Sequence, residues 1–143
     1  MKHPKSYDST PETRKRMSKV ALKGGKAETL LAKELWHKGY RYRKNDKRLP
    51  GSPDIAILRY KIAVFVDGEF WHGKDWDLRK ERLQKNREYW IEKIEENIAR
   101  DKRNDDLLMQ QGWVFIHFWE KEVKKDVSAC ADLVMKVIEM VSE

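Results

Sequence analysis

The sequence is poor in the features that staple or anchor a chain. One residue of 143 is cysteine, Cys130, so neither a disulfide framework nor a cysteine zinc cluster can form within it. The reducing interior of a cell suits such a chain. No run approaches the roughly 18 apolar residues of a membrane span, and the N-terminus lacks the apolar core of a signal peptide. Neither GxxxxGK(S/T) nor GxGxxG occurs, which leaves out the common phosphate loops. Internal repeats and low-complexity tracts are missing as well. Together these absences predict a soluble, intracellular protein with no membrane partner.

What is present supports one globular domain spanning residues 1–143, at 40% hydrophobic and 38% charged residues. The net charge of +7 is unevenly placed. Residues 1–48 hold 15 Lys and Arg against 5 Asp and Glu, a net +10, while the remaining 95 hold 16 against 19, a net −3. A basic N-terminal third on a slightly acidic body points to a polyanionic partner. A solvated basic tail would read the same way.

The stretch Leu49 to His72 organises the rest. It opens with the turn chemistry Pro50-Gly51-Ser52-Pro53. Asp54 follows, then the apolar run Ile55 to Leu58, a tip at Arg59-Tyr60-Lys61 and a second run, Ile62 to Val66. Two such runs so closely joined predict a hairpin of largely buried strands. The second run ends in Asp67-Gly68-Glu69-Phe70-Trp71-His72. A carboxylate at the start of one strand and others just past the end of its neighbour share one edge of a sheet. Such an edge can converge acidic oxygens on a divalent cation. Asp after Pro is also an ordinary turn residue, and Phe-Trp after a strand an ordinary core pair.

Elsewhere the pattern is mostly helical. Thr10-Pro11-Glu12-Thr13 opens a short basic helix to about Leu22, carrying Arg14, Arg16 and Lys19 with a narrow stripe at Met17, Val20 and Ala21. Ala27 to Lys38 is a second helix stopped by Gly39, with Glu28 in its first turn, where the helix dipole alone would favour a carboxylate. Tyr40 to Arg43 alternates as a short strand, and Lys44 to Arg48 is a basic loop. Residues 73–86 read as a loop with some helix. A long helix runs from about Arg87 to Gln111, with Trp90, Ile91, Ile94, Ile98, Leu107 and Leu108 apolar. Another side of it carries Lys93, Asn97 and Asp101 at i, i+4, i+8. Asn97 is a poor helix former with no local reason to be there. Trp113 to Trp119 predicts a further buried strand with His117 packed. A closing helix, Val127 to Val141, turns Val127, Ala131, Val134, Met135, Ile138 and Val141 inward. The expected fold is α/β, a small mixed sheet flanked by helices.

Taken jointly, several runs resemble the very short patch repair (Vsr) endonucleases. They are Leu-Pro-Gly-Ser-Pro-Asp at 49–54, Val-Phe-Val-Asp-Gly-Glu-Phe-Trp-His at 64–72, Trp-Ile-Glu-Lys-Ile at 90–94 and Asn-Ile-Ala-Arg-Asp at 97–101. Gly112-Trp113 leading to Phe118-Trp119-Glu120 completes the match, which runs from about Thr13 to Glu120. The resemblance implies a restriction-endonuclease-like core that hydrolyses double-stranded DNA with Mg²⁺, nicking one strand beside T:G mismatches. It also implies a monomer acting in a bacterial or phage-infected cytoplasm, on nucleoid DNA. Carried over by position, Asp54 and the Val66 main-chain carbonyl resemble metal ligands, His72 the general base and Asp101 the group that orients its imidazole. Glu28 would complete the acidic set. Asp67 stands where the family often has a second histidine near the scissile phosphate. A carboxylate there could bind metal but, when ionised, cannot donate to a phosphate oxygen. Phe70 and Trp71 match an aromatic wedge that enters the base stack, and Met17 an apolar wedge from the basic helix. Lys93 and Asn97 match residues that read the mismatched bases. Arg14, Arg16 and Lys19, within the basic segment 1–25, would neutralise phosphates.

One departure is large. The family's structural zinc is held by three cysteines and a histidine, and the corresponding positions here are Glu69, Lys74, Trp76 and Lys121. No thiolate remains, so no structural zinc is expected. Trp76 packing and Glu69–lysine pairing are the substitutes that the residues suggest for holding the 67–77 loop. A nuclease of the same fold without mismatch preference, of restriction or homing type, and a non-cleaving binder of distorted DNA remain alternatives to the nicking reading.

Overall fold

The computed structural model describes residues 25–142. The helix expected over 10–22, with Arg14, Arg16, Met17 and Lys19, lies outside the described residues. Helix α1 (Lys26–His37) buries Ala27, Leu31, Ala32 and Leu35. It ends where expected. Gly39 takes φ +95, the Gly39 N–H donates to Trp36 O at 3.0 Å and the Tyr40 N–H to Leu35 O at 3.0 Å. That bond pair is a Schellman stop, and only glycine enters it without strain.

The strand expected over 40–43 is displaced and shorter, β1 (Arg43–Lys44). Tyr40 is consumed by the helix stop, and the Tyr42 hydroxyl donates back to Ala32 O at 2.7 Å. The hairpin forms as predicted. Strand β2 (Ile55–Ile57) pairs antiparallel with β3 (Ile62–Asp67), Ala56 opposite Ala63. After β3 come α2 (Trp76–Arg82), which buries none of its residues, and the long α3 (Arg87–Gln110). These form the crossover that a parallel pairing requires, and β4 (Val114–Trp119) then runs parallel to β3, Phe65 opposite His117. Among the described residues the sheet has four strands in the order β1-β2-β3-β4.

Strand β4 was expected to be buried, yet Val114 is exposed and Phe118 is its one fully enclosed residue. The cause is its place at the sheet edge, with no neighbouring strand on one side among the described residues. A short helix that periodicity did not suggest, α4 (Glu120–Lys125), follows at once, with the Trp119 N–H donating to the Glu122 carboxylate at 3.2 Å. The closing helix α5 (Val127–Ser142) buries Cys130, Ala131, Val134 and Ile138. Val141, expected inward, is exposed in its last turn. No helix among the described residues is long and apolar enough to cross a membrane.

Two cores result, one on each face of the sheet. Helices α1 and α5 cover Ile55, Ile57, Ile62, Val64 and Phe118. The other face presents Ala56, Ala63 and Phe65 to Leu108 of α3 and to Trp113. Alternation with period two puts Asp67 on the same face as Ala63 and Phe65, and His117 on the same face as Phe115. The functional groups therefore lie on the α3 side, where two alanines let the helix approach.

Candidate active site

Asp54 is set by the turn before it. The Ser52 N–H donates to Leu49 O at 3.0 Å and the Asn45 N–H to Asp54 O at 3.1 Å. Gly51, at φ +80, lies against the Phe65 ring, 3.1 Å from where a Cβ would stand. Arg48 grips Asp46 through two bonds, Nε at 2.9 Å and Nη2 at 2.8 Å. That guanidinium holds the Asp46 carboxyl down at about 2. It also engages one cation of the basic loop that the sequence offers to phosphates. Asp54 itself is 2% exposed, and its Oδ2 accepts the Val66 N–H at 2.7 Å. The carboxylate is thus stapled to the end of β3.

Beyond Asp67 the chain forms a compact loop closed by its own backbone. The His72 N–H donates to Gly68 O at 3.1 Å, the Gly73 N–H to Phe70 O at 3.3 Å and the Lys74 N–H to Glu69 O at 2.9 Å. His72 Nδ1 lies 2.6 Å from Asp101 Oδ2. An ionised carboxylate only accepts, so Nδ1 carries the proton and Nε2 is the basic nitrogen of the neutral ring. Sequence reading paired these residues across 29 positions, and the structure brings them together. Gly73, at φ +73, is pressed so closely on Ile98 that an added Cβ would stand 2.8 Å from Cγ1.

Beside this pair is a second one that sequence reasoning missed. His117 Nδ1 lies 2.7 Å from Asp67 Oδ2, and its Nε2 lies 2.8 Å from Asp105 Oδ1. The ring stacks on Phe65, centroids 4.5 Å apart and planes at 11°. Burial by itself would lower the His117 pKa, but the hydrogen bonds and charges of Asp67 and Asp105 outweigh it and raise it to about 9. His117 is therefore an imidazolium at neutral pH, not merely a packed ring. Burial raises the Asp105 carboxyl above its usual range. Asp67 also faces the first pair, with Oδ1 3.9 Å from His72 Nδ1. It was anticipated at the metal, and the structure commits its Oδ2 to His117. Asp105 could have been found by extending the stripe at 93, 97 and 101 by four more residues. For His117 the signal was alternation with Phe115.

The remaining expected residues divide. Glu28 is buried in α1, the helix on the sheet face away from α3. Phe70 and Trp71 are half-buried and meet Trp90 edge to face, at 5.3 Å and 5.5 Å. Asn97, expected to face bases, is 5% exposed. Its Nδ2 donates to Trp71 O at 3.0 Å and its Oδ1 accepts from Arg100 at 2.9 Å. Lys93 is half-buried one turn before it on α3. At the positions that differ from the family, the Glu69 carboxylate accepts the Lys121 main-chain N–H at 3.0 Å, not an ammonium as anticipated. Trp76 Nε1 donates to Glu95 at 3.0 Å, and the Lys74 ammonium lies 6.0 Å from the Trp119 ring centre.

The donor set suits a hard cation. Among the described residues no three His, Cys, Asp or Glu side chains cluster closely enough to hold an ion alone. Magnesium does not need that. It keeps several waters and is commonly bound by one or two carboxylates together with substrate phosphates. Asp54 and the Val66 carbonyl, adjoining at the sheet edge, are oxygen donors of that kind.

Comparison with known proteins agrees with the geometry. The family model for the DNA mismatch endonuclease Vsr matches residues 6–78. The chain is 55% identical over 119 residues to the type II nicking enzyme V.HpaIIP of Haemophilus parainfluenzae, covering 82% of this chain and 84% of that one. It is 48% identical over 130 residues to the type II nicking enzyme V.NmeDIP of Neisseria meningitidis serogroup C, covering 90% and 88%. With the DNA mismatch endonuclease Vsr of Escherichia coli strain K12 it shares 35% over 106 residues, covering 74% and 67%.

Proposed function

The chain belongs to the Vsr DNA mismatch endonuclease family and is a DNA endonuclease with a restriction-endonuclease-like core, and from that premise we propose that it nicks one strand of duplex DNA beside a T:G mismatch. The family's nucleases are metal-dependent, and Mg²⁺ is the metal proposed for this one. The observation that carries the proposal is the His72–Asp101 pair, on the loop that continues the strand to which Asp54 is bonded through Val66.

In this reading Asp101 fixes the ring so that His72 Nε2 accepts the proton of the attacking water. Asp54 and the Val66 carbonyl hold the cation, which when bound polarises the phosphate and stabilises the leaving 3′ oxygen. Asp67, compensated by His117, faces the imidazolium that His72 becomes and steadies it. Phe70 and Trp71 exchange their contacts with Trp90 for base stacking. Unstacking a step costs a few kcal/mol and is recovered through aromatic contact and DNA bending. Lys93 contacts the mismatch, and Asn97 holds the wedge by its backbone. Met17, Arg14, Arg16 and Lys19 of the basic segment 1–25 add an apolar wedge and phosphate contacts. The chain acts as one domain and as a monomer, on cytoplasmic DNA.

The test uses otherwise identical duplexes carrying A:T, G:C or T:G at one position, incubated with Mg²⁺ or with EDTA, the two strands resolved separately. Cutting of a single strand confined to T:G and lost in EDTA is expected. Cutting of fully paired DNA would overturn the mismatch reading. Asp54→Ala abolishes cleavage and leaves duplex binding within about threefold, because the carboxylate acts on chemistry and phosphate contacts supply the affinity.

A further inference from the structure

Glu69 is a buried carboxylate three residues before the proposed base, 8% exposed, and the cleavage mechanism gives it nothing to do. Its Oε2 accepts the Lys121 N–H, 52 positions away in the first turn of α4. Among the described residues most other side-chain contacts of the loop run to a single element, apart from Lys74 beside the Trp119 ring and His72 beside Asp67. His72 is tied to Asp101, the Trp71 carbonyl to Asn97, Phe70 and Trp71 to Trp90, Gly73 to Ile98 and Trp76 to Glu95. All of those partners belong to α3.

A rigid piece fastened along one line keeps a rotation about that line. The loop is such a piece, since three backbone hydrogen bonds close it on itself between Gly68 and Lys74. Among the described residues the bond from Glu69 to Lys121 is the side-chain hydrogen bond that fixes the loop to the β4–α4 junction, away from α3. A carboxylate bound to a main-chain N–H is charge-assisted and directional, and burial shields it from water and salt.

We propose that Glu69 is a positioning residue for cleavage: its clasp on the β4–α4 junction sets the loop's angle about α3, and with it the position of His72 and of the Phe70–Trp71 wedge. The clasp uses no metal and no thiol. It is a hydrogen-bonded fastening of the catalytic loop to the junction that follows the edge strand. The inference rests on His72 acting as the base, so its test includes readings that need no DNA.

Two variants are compared with the wild-type chain. Glu69→Gln keeps an acceptor oxygen at the same reach, and Glu69→Ala removes it. Amide exchange of the free protein reads the clasp directly: in Glu69→Ala the amides of Lys121 and residues 70–74 exchange about tenfold faster or more, the scale of one charge-assisted bond removed, while those of α3 do not change. In Glu69→Gln they stay near wild type. The His72 Nδ1 proton, observed by NMR of the free protein, broadens in Glu69→Ala and persists in Glu69→Gln. Single-turnover cleavage of saturating T:G duplex falls about a hundredfold in Glu69→Ala, the scale of an ångström-sized misplacement, and Glu69→Gln restores most of it. Wild-type exchange and a wild-type cleavage rate in Glu69→Ala would overturn the clasp, as would a Glu69→Gln protein that folds with exchange as fast as Glu69→Ala. Altered exchange with unaltered cleavage would leave the fastening intact and sink the positioning role. Should no variant, nor the wild type, cut any duplex, the nuclease reading fails while the exchange result still decides the clasp.

Discussion

Two histidines of the site differ in environment, and the difference sets what each can do. His72 has the Asp101 carboxylate on Nδ1, at 2.6 Å, with Asp67 at 3.9 Å from the same nitrogen, which orients Nε2 for the role of base. His117 has a carboxylate on each nitrogen, at 2.7 Å and 2.8 Å, and so is held as a cation. The consequence is measurable. A group whose folded pKa is raised, here to about 9, adds stability that is fully present below its unfolded value near 6.5 and is lost as pH rises through the folded value. The stability difference between wild type and His117→Gln, from urea melts in metal-free buffer, is therefore largest near pH 6 and shrinks steadily as the pH passes about 9. A difference that grows with pH would contradict the assignment. Gly73 makes a steric prediction instead. Alanine there must hold φ near +73 and push Ile98 aside, so Gly73→Ala costs about 2 kcal/mol or more by urea midpoint. Adding Ile98→Ala removes the clash, and the double variant loses less than the sum of the two singles.

Among the elements, α3 serves two functions on one rod. Leu108 lies under the second core with Phe65 and Trp113, while Asn97, Asp101 and Asp105 rise along a neighbouring stripe to the loop and to His117. Packing at Leu108 thus sets the height of the carboxylates one and two turns before it on the helix. Leu108→Ala, a fully buried side chain removed from a face built on two alanines, costs about 2–5 kcal/mol in urea unfolding. The urea slope stays unchanged, because the fold buries the same surface otherwise. An effect below about 1 kcal/mol would show that α3 repacks freely and is no rigid rod.

At the scale of the whole molecule, charge is divided between binding and chemistry. The first 48 residues hold a net +10 and the rest a net −3, so the excess of cations lies in one part of the chain and the acidic site in another. Binding to duplex is accordingly expected to weaken steeply with salt. Replacing Arg14, Arg16 and Lys19 together by alanine lowers the slope of log K against log salt by about 0.9 for each phosphate no longer neutralised, measured by titration at several salt concentrations. An unchanged slope would remove that segment from the interface.

Much of this protein was legible in the order of its residues, because the signals were local. Glycine after α1, proline-rich turn chemistry before Asp54, two closely joined apolar runs for the hairpin and a helical stripe for α3 depend on near neighbours, and those elements stand where local physics puts them. The pairing of His72 with Asp101 was legible only through likeness to a family, since nothing near either residue requires the other. What the fold alone decided is pairwise and distant. A strand of apolar composition became a half-exposed edge because no fifth strand covers it among the described residues. That edge brought His117 level with Phe65 and hence beside Asp67. A glutamate expected to pair with a lysine ammonium became a buried clasp on a lysine main-chain N–H because α4 begins above it. Burial and hydrogen-bond partners are properties of surroundings, and surroundings exist only once the sheet has chosen its neighbours.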